Sequence, residues 1–195
     1  CTLLVNEQLQ YMQNKDMGIN KENTMVLKNT SRLGESQATF REDLTQLSDV
    51  KAASYASHTI PGYHYSTFMK PKGAEEDQVI PMFWADWYHD DVLDFEMKKG
   101  RYFNRDYRTD SAAVVINEQA ADAFGMEEPV GKEIAFQDDN YEIIGVMENF
   151  NFQSVQNNIE PLVIFFSQTS NEMLVHFQSD SPQEALAQIE ATWEK

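Results

Sequence analysis

A chain of 195 residues, 42% hydrophobic and 12% aromatic, has enough buriable area for one large or two small folded domains, with no need of metal or disulfide. That composition excludes a disordered chain. With Lys+Arg 15 against Asp+Glu 32 the net charge is −17, and no basic cluster exceeds Lys98-Lys99. A nucleic-acid partner, which needs a basic stripe, is therefore ruled out too.

The acidity is uneven: residues 101–195 hold 5 basic and 17 acidic groups, and residues 1–100 hold 10 and 15. Anionic lipid would repel the second half. The longest apolar runs, Ala112 to Ile116 and Leu162 to Phe166, have five residues each, against the roughly 20 a membrane helix needs. No basic segment followed by an apolar core is present, so no signal peptide is read. The chain opens Cys1-Thr2-Leu3-Leu4-Val5 without Met. This is expected to be the cut end of a hydrophobic segment, the alternative being the first residue of a mature lipoprotein.

Taken in order, Val5, Leu9 and Met12 predict an amphipathic helix that stops before Gly18. Thr24 to Lys28 reads as a strand, and Phe40, Leu44 and Leu47 place an apolar stripe on a helix over about 35–48. A strand from Lys51 to Ser57 runs to the turn dipeptide Pro61-Gly62. Residues 63–78 are polar and read as a long excursion. Val79 to Ala85 is extended, and Asp86 caps a helix expected to pass through Val92 and Phe95 to Gly100. Ala112 to Ile116 is a buried strand leading into Asn117, an N-cap for a short helix ended by Gly125. Glu133 to Gln137 and Tyr141 to Met147 flank the hairpin signal Asp138-Asp139-Asn140. Two further strands follow, Leu162 to Phe166 and Met173 to Gln178, with Met173, Val175 and Phe177 on one face of the second. Ser181-Pro182-Gln183-Glu184 is a capping box opening a helix striped by Leu186, Ile189 and Trp193 that runs to Lys195.

Chemistry is sparse along this course. Asp86, His89 and Asp90 share a helix face and could hold a divalent cation, with Asp91 and Asp94 beside them. Helix capping, a favourable dipole and the packing of Trp84, Trp87, Val92, Leu93 and Phe95 explain the segment as well without a metal. Gly125 to Glu133 has the wrong glycine spacing for a phosphate loop, and Glu133 stands where Ser or Thr is required. There is no nucleophile elbow, and Ser57 and His58, adjacent on an extended run, are expected to point to opposite faces. His176 alternates with apolar residues and reads as a solvent-facing or hydrogen-bonded sheet residue. Candidates for recognition are the aromatics Tyr63, His64 and Tyr65, and Phe150 and Phe152, with core packing the competing explanation for the last pair.

From Gly100 onward an ordered set stands out: Gly100-Arg101-Tyr102-Phe103, Val114 to Glu118, Gly125, Pro129-Val130-Gly131-Lys132, Tyr141 to Val146, Phe150-Asn151-Phe152 and Pro161. With Gln13 to Gly18 leading into a strand, nearly the whole chain resembles the periplasmic core domain of MacB-like and FtsX-like ABC transporter permeases of Bacteroidetes type. The resemblance implies an α+β fold: a porter-like α/β subdomain with an inserted, mainly β, sabre-like subdomain. Placed on the elements above, residues 1–17 would be a membrane-proximal helix, 18–90 and 160–195 the porter-like part, and 91–159 the sabre-like part.

The same resemblance implies a domain on the periplasmic side of the bacterial inner membrane that passes ATP-driven movement across it. It implies no enzymatic role, catalytic residue, metal or cofactor in the domain, a separate or fused cytoplasmic ABC ATPase as partner, a permease dimer, and room for a periplasmic protein partner. The loop from Tyr63 to Gln78 and the run Trp84 to Tyr88 match no part of the pattern. The competing expectation is a freestanding or lipid-anchored extracytoplasmic binding protein.

Overall fold

A computed structural model describes residues 23–60, 62, 65–152, 159–178 and 182–193. The predicted helix over 5–17, Ser181 of the capping box and the last two residues lie outside this set. Within it the first strand, β1 (Thr24–Lys28), lies at the edge of a sheet ordered β1-β10-β2, with β2 at Val50–Ala56 and β10 at Glu172–Phe177, all neighbours antiparallel. Alternation divides these strands between two faces. Leu27, Ala53, Tyr55, Met173 and Val175 turn toward α1 (Gln37–Thr45) and α4 (Pro182–Trp193), while Val26, Ala52, Ala56 and Leu174 turn the other way. The register shift after His176 falls in β2, where Lys51 is the extra residue, and Phe177 is buried opposite Val50.

The remaining strands close on themselves. β4 (Gln78–Ala85) pairs β3 (Tyr65–Pro71), β3 pairs β7 (Glu133–Phe136), β7 pairs β8 (Asp139–Met147), β8 pairs β6 (Ala113–Asn117), β6 pairs β9 (Val163–Phe166), and β9 returns to β4 in parallel. Closure removes the exposed edges that an open sheet would have to protect. Met69, Ile80, Met82, Val114, Ile116, Ile134, Phe136, Ile143, Val163 and Phe165 fill the ring. Their neighbours in the strands, Phe83, Ala85, Ala113, Val115 and Ile164, point outward. They meet Ala52, Ala56 and Leu174 of the sheet in a middle core, completed by Leu93, Phe95, Tyr102, Phe103, Phe150 and Phe152. The order through the molecule is therefore helices, sheet, middle core and ring. The expected 91–159 unit supplies β6, β7 and β8 to the ring, and β3, β4 and β9, placed with the other unit from sequence, complete it.

Two element assignments are corrected. The polar run 63–78 contains β3, whose only fully buried side chain is Met69, so alternation in the sequence is faint. The helix expected from Asp86 to Gly100 is instead α2 (His89–Leu93), followed by β5 (Met97–Gly100) against β8. Asp94 takes a left-handed conformation (φ 56, ψ 62) and the Asp90 carboxylate accepts from Phe95 N at 2.9 Å, which stops the helix. The glycines at the β5–β8 contact are a packing requirement: a Cβ on Gly145 would lie 2.2 Å from Arg101 O, and one on Gly100, at φ +67, 2.2 Å from Ile144 O.

Candidate functional site

Asp86 is the centre of a buried polar group that joins three elements. It follows the last residue of β4, is 0% exposed, and accepts at Oδ2 from Arg41 Nη1 of α1 (3.1 Å) and Tyr55 N of β2 (3.0 Å) and at Oδ1 from Tyr88 N (3.0 Å). Burial pushes its pKa up from 3.8 to about 6, opposed by the Tyr55 amide, the Ser54 hydroxyl, Arg41 and the Tyr88 amide. Arg41 also stacks 4.3 Å from the centre of the Tyr88 ring.

Next to it His89, also 0% exposed, holds Ser54 Oγ at 2.9 Å through Nδ1, while its ring packs edgewise on Phe83 and beside Phe95. Burial drives the imidazole down from 6.5 to about 3, so it is neutral at physiological pH. The buried atoms His89 Nε2, Tyr102 O–H and Trp87 Nε1 have no hydrogen-bond partner. Burial raises Asp90 and Asp91, and raises Tyr102 well above its ordinary value with Asp86 and Asp90 adding to the effect.

The possibility raised by spacing, a cation held by Asp86, His89 and Asp90, finds no support in this geometry. Asp86 is occupied by Arg41 and two amides, Asp90 by Phe95 N, and no metal-holding group of His, Cys, Asp or Glu occurs among the described residues.

Of the recognition candidates, Tyr63 and His64 lie outside the described residues. Tyr65 opens β3 and is 51% exposed. Phe150 and Phe152 are in the middle core, 2% and 1% exposed, with Phe150 stacked 5.3 Å from Phe95. Core packing accounts for both, and neither ring offers contact area to a partner. Sequence reasoning missed the exposed cross-strand neighbours Phe68 and Val79: Val79 reads as extended, but residues 63–78, which hold its partner Phe68, read as a loop. The expectation for Ser57 and His58 is also corrected: β2 ends at Ala56, the chain bends, and Ser57 Oγ lies 2.9 Å from His58 Nδ1. The same hydroxyl accepts from Trp84 N at 3.0 Å, tying the end of β2 to β4, and burial lowers the His58 pKa. His176 is buried and donates from Nδ1 to Val92 O at 3.4 Å.

Other buried polar groups are consumed by architecture. Asp110 takes both guanidinium nitrogens of Arg101 (2.8 and 2.7 Å) and Asn104 N (2.8 Å), while Arg101 lies 3.9 Å over the Tyr107 ring. Asn117 caps α3 (Glu118–Ala123) as predicted, its Oδ1 accepting from Ala120 N (2.9 Å) and Leu162 N (2.8 Å) and its Nδ2 donating to Glu160 O (2.8 Å). No described helix is long and apolar enough to cross a membrane.

Comparison with known proteins agrees with this architecture. The family description "MacB-like periplasmic core domain" matches residues 3–192. The periplasmic region of MacB from Actinobacillus actinomycetemcomitans superposes with a TM-score of 0.63 at 16% identity, covering 93% of this chain and 86% of that one. The extracellular domain of the noncanonic ABC-type transporter YknZ from Gram-positive bacteria gives 0.54 at 19% identity, over 79% and 76%. No functionally curated protein matches the chain.

Proposed function

The chain belongs to the MacB-like periplasmic core domain family, and from that premise we propose that it transmits ATP-driven conformational change across the inner membrane for an ABC transporter permease. The family is a transporter domain and not an enzyme domain. A cytoplasmic ATPase, separate or fused, would do the hydrolysis, membrane helices flanking the domain would deliver the movement, and two permease copies would act together in export or extraction of a cargo. A periplasmic protein partner would be met at Tyr63, His64 and Tyr65.

One observation supports this reading above the others: the ring and the helix-covered sheet share the middle core, with Phe83, Val115 and Ile164 of the ring packed with Ala52, Ala56 and Leu174 of the sheet. A shared apolar core of this kind suppresses relative motion between units, and a force-transmitting part needs stiffness. The buried charged groups Arg41, Asp86 and Asp110 are engaged with one another, with Arg101 or with backbone amides, which is consistent with a mechanical role.

The test uses the full-length permease with its ATPase. Phe136→Ala with Ile143→Ala hollows the ring, where these side chains are 7% and 0% exposed, at a cost of about 2–5 kcal/mol for each site. ATP turnover in proteoliposomes is expected to persist while complementation of a permease-deletion strain is lost. Full complementation by a protein whose ring is demonstrably unfolded would refute mechanotransmission.

A further inference from the structure

The two structural units touch through very little regular backbone. β2 and β4 share the single pair Ala56↔Ala85, flanked by the bonds Ser57 N to Trp84 O (2.8 Å) and Asp86 N to Tyr55 O (3.1 Å). Beside these bonds Ser57 Oγ accepts from Trp84 N at 3.0 Å; the middle core that fills the joint is apolar, and apolar packing is non-directional: it holds surfaces together without choosing one angle between them.

The charged directional contacts sit one residue beyond that pair, at Asp86. The Asp86 carboxylate, carried by the end of ring strand β4, reaches the side chain of α1 at Arg41, the backbone of β2 at Tyr55 and the backbone before α2 at Tyr88. The α1 end is itself fixed, because Tyr55 O–H donates to Gln37 O at 2.7 Å. Arg41 and Asp86 have side-chain exposures of 9% and 0%, so the charges are taken almost fully out of water. Such a pair is a poor source of stability relative to an apolar replacement, and its best-attested use is to specify one arrangement among several. The upward displacement of the Asp86 pKa by burial agrees that the carboxylate sits there at a cost.

We infer that Arg41 and Asp86 are positioning residues that fix the angle between the closed ring and the helix-covered sheet, so that the two move as one body. The inference deepens the mechanotransmission reading and rests on it for its purpose, since a lever with an unfixed elbow loses its stroke. The geometry is testable without any transport assay.

The experiment is performed on the 195-residue chain with Cys1→Ser. Spin labels are placed at Ala187→Cys on α4 and Asn140→Cys on β8, which report across the joint. A second pair, at Ala187→Cys and Lys28→Cys, reports within the sheet unit. Dipolar distance distributions are compared for the parent, for Arg41→Met with Asp86→Leu, and for Asp86→Asn. The double variant removes both charges and leaves neither unpaired, so it is expected to fold, with a cross-joint distribution roughly twofold wider. The pair within the sheet unit should be unchanged. Asp86→Asn keeps the side-chain shape but loses the charge opposite Arg41 and can accept at one terminal atom only, so Tyr88 N on one side and Arg41 with Tyr55 N on the other cannot all be satisfied, and it is expected to widen the same distribution. If the double variant does not fold, Asp86→Asn decides the matter on the same two distances.

A cross-joint distribution as narrow as the parent's in a folded variant overturns the inference while leaving mechanotransmission intact. Normal complementation by the hollowed ring does the reverse.

Discussion

Replacing His89 by Asn should make the protein gain stability relative to its parent as pH falls. The imidazole is 0% exposed and its pKa is depressed from 6.5 to about 3 by burial. A depressed folded-state value means that this stability is fully present above pH 6.5 and is lost as pH falls through the folded value, because the unfolded chain takes the proton first. The loss runs at about 1.4 kcal/mol per pH unit and reaches about 3 kcal/mol by pH 4. Asp86 works in the opposite sense. Its folded value is raised from 3.8 to about 6, so its contribution is present below 3.8 and is lost as pH rises through 6. The two largely cancel between these limits in the parent.

Asn at position 89 can still meet Ser54 Oγ, which His89 holds at 2.9 Å, but it gives up the ring packing on Phe83 and Phe95, at about 2 kcal/mol. The variant is therefore expected to be about 2 kcal/mol less stable at pH 7, equal near pH 5, and about 1 kcal/mol more stable at pH 4. Asp90, Asp91, Glu172 and His58 are displaced in both proteins, so they drop out of the difference. Urea titrations followed by tryptophan fluorescence at pH 7, 6, 5 and 4 give the two curves. Parallel curves across that range would mean that His89 is not held neutral by its surroundings, and the reasoning would fail.

Gly145→Ala places a Cβ 2.2 Å from Arg101 O, a backbone atom that cannot swing aside, and should cost at least about 3 kcal/mol in thermal unfolding. Gly73→Ala, at φ +86 in open space, serves as the control and should cost only about 1 kcal/mol. Asn117→Ala strands Ala120 N, Leu162 N and Glu160 O together, at about 3 kcal/mol. Hydrogen exchange should then show lost protection at Ala120 and Leu162, and unchanged protection there would contradict the assigned cap.

What the sequence made legible was local. β1, β2, β6, the β7–β8 hairpin and the Asn117 cap each depend on residues within a few positions of one another, so pattern and turn chemistry suffice to find them. β3 escaped because it turns Phe68 outward beside Ser66, Thr67 and Lys70 and buries Met69 alone. The false long helix arose because Val92 and Phe95 are three apart, a spacing that fits a helix. In the structure the left-handed Asp94 carries Phe95 out of α2 and into the middle core. The candidate site was half visible for the same reason. Asp86, His89 and Asp90 drew notice as a cluster within one short segment, whereas Arg41, 45 positions away, gave no local sign that it would neutralise the first of them.

Closure of the ring is the least local feature of all, and it explains why the motifs beyond Gly100 take the form they do. The parallel pairing of β4 with β9 joins Met82 to Val163 and Ala85 to Phe166, a contact between segments far apart in the chain that no local pattern announces. Once formed, it requires β4, β6 and β9 to be apolar on both sides, since one side fills the ring and the other the middle core. Their side chains bear this out: Val114 and Ile116 point in while Ala113 and Val115 point out, and Val163 and Phe165 point in while Ile164 points out. Continuous apolar runs at Ala112 to Ile116 and Leu162 to Phe166 are thus the sequence trace of strands shared by two cores. Sharing strands between cores also makes the two units hard to separate, and Asp86 stands directly after the end of the third shared strand, β4.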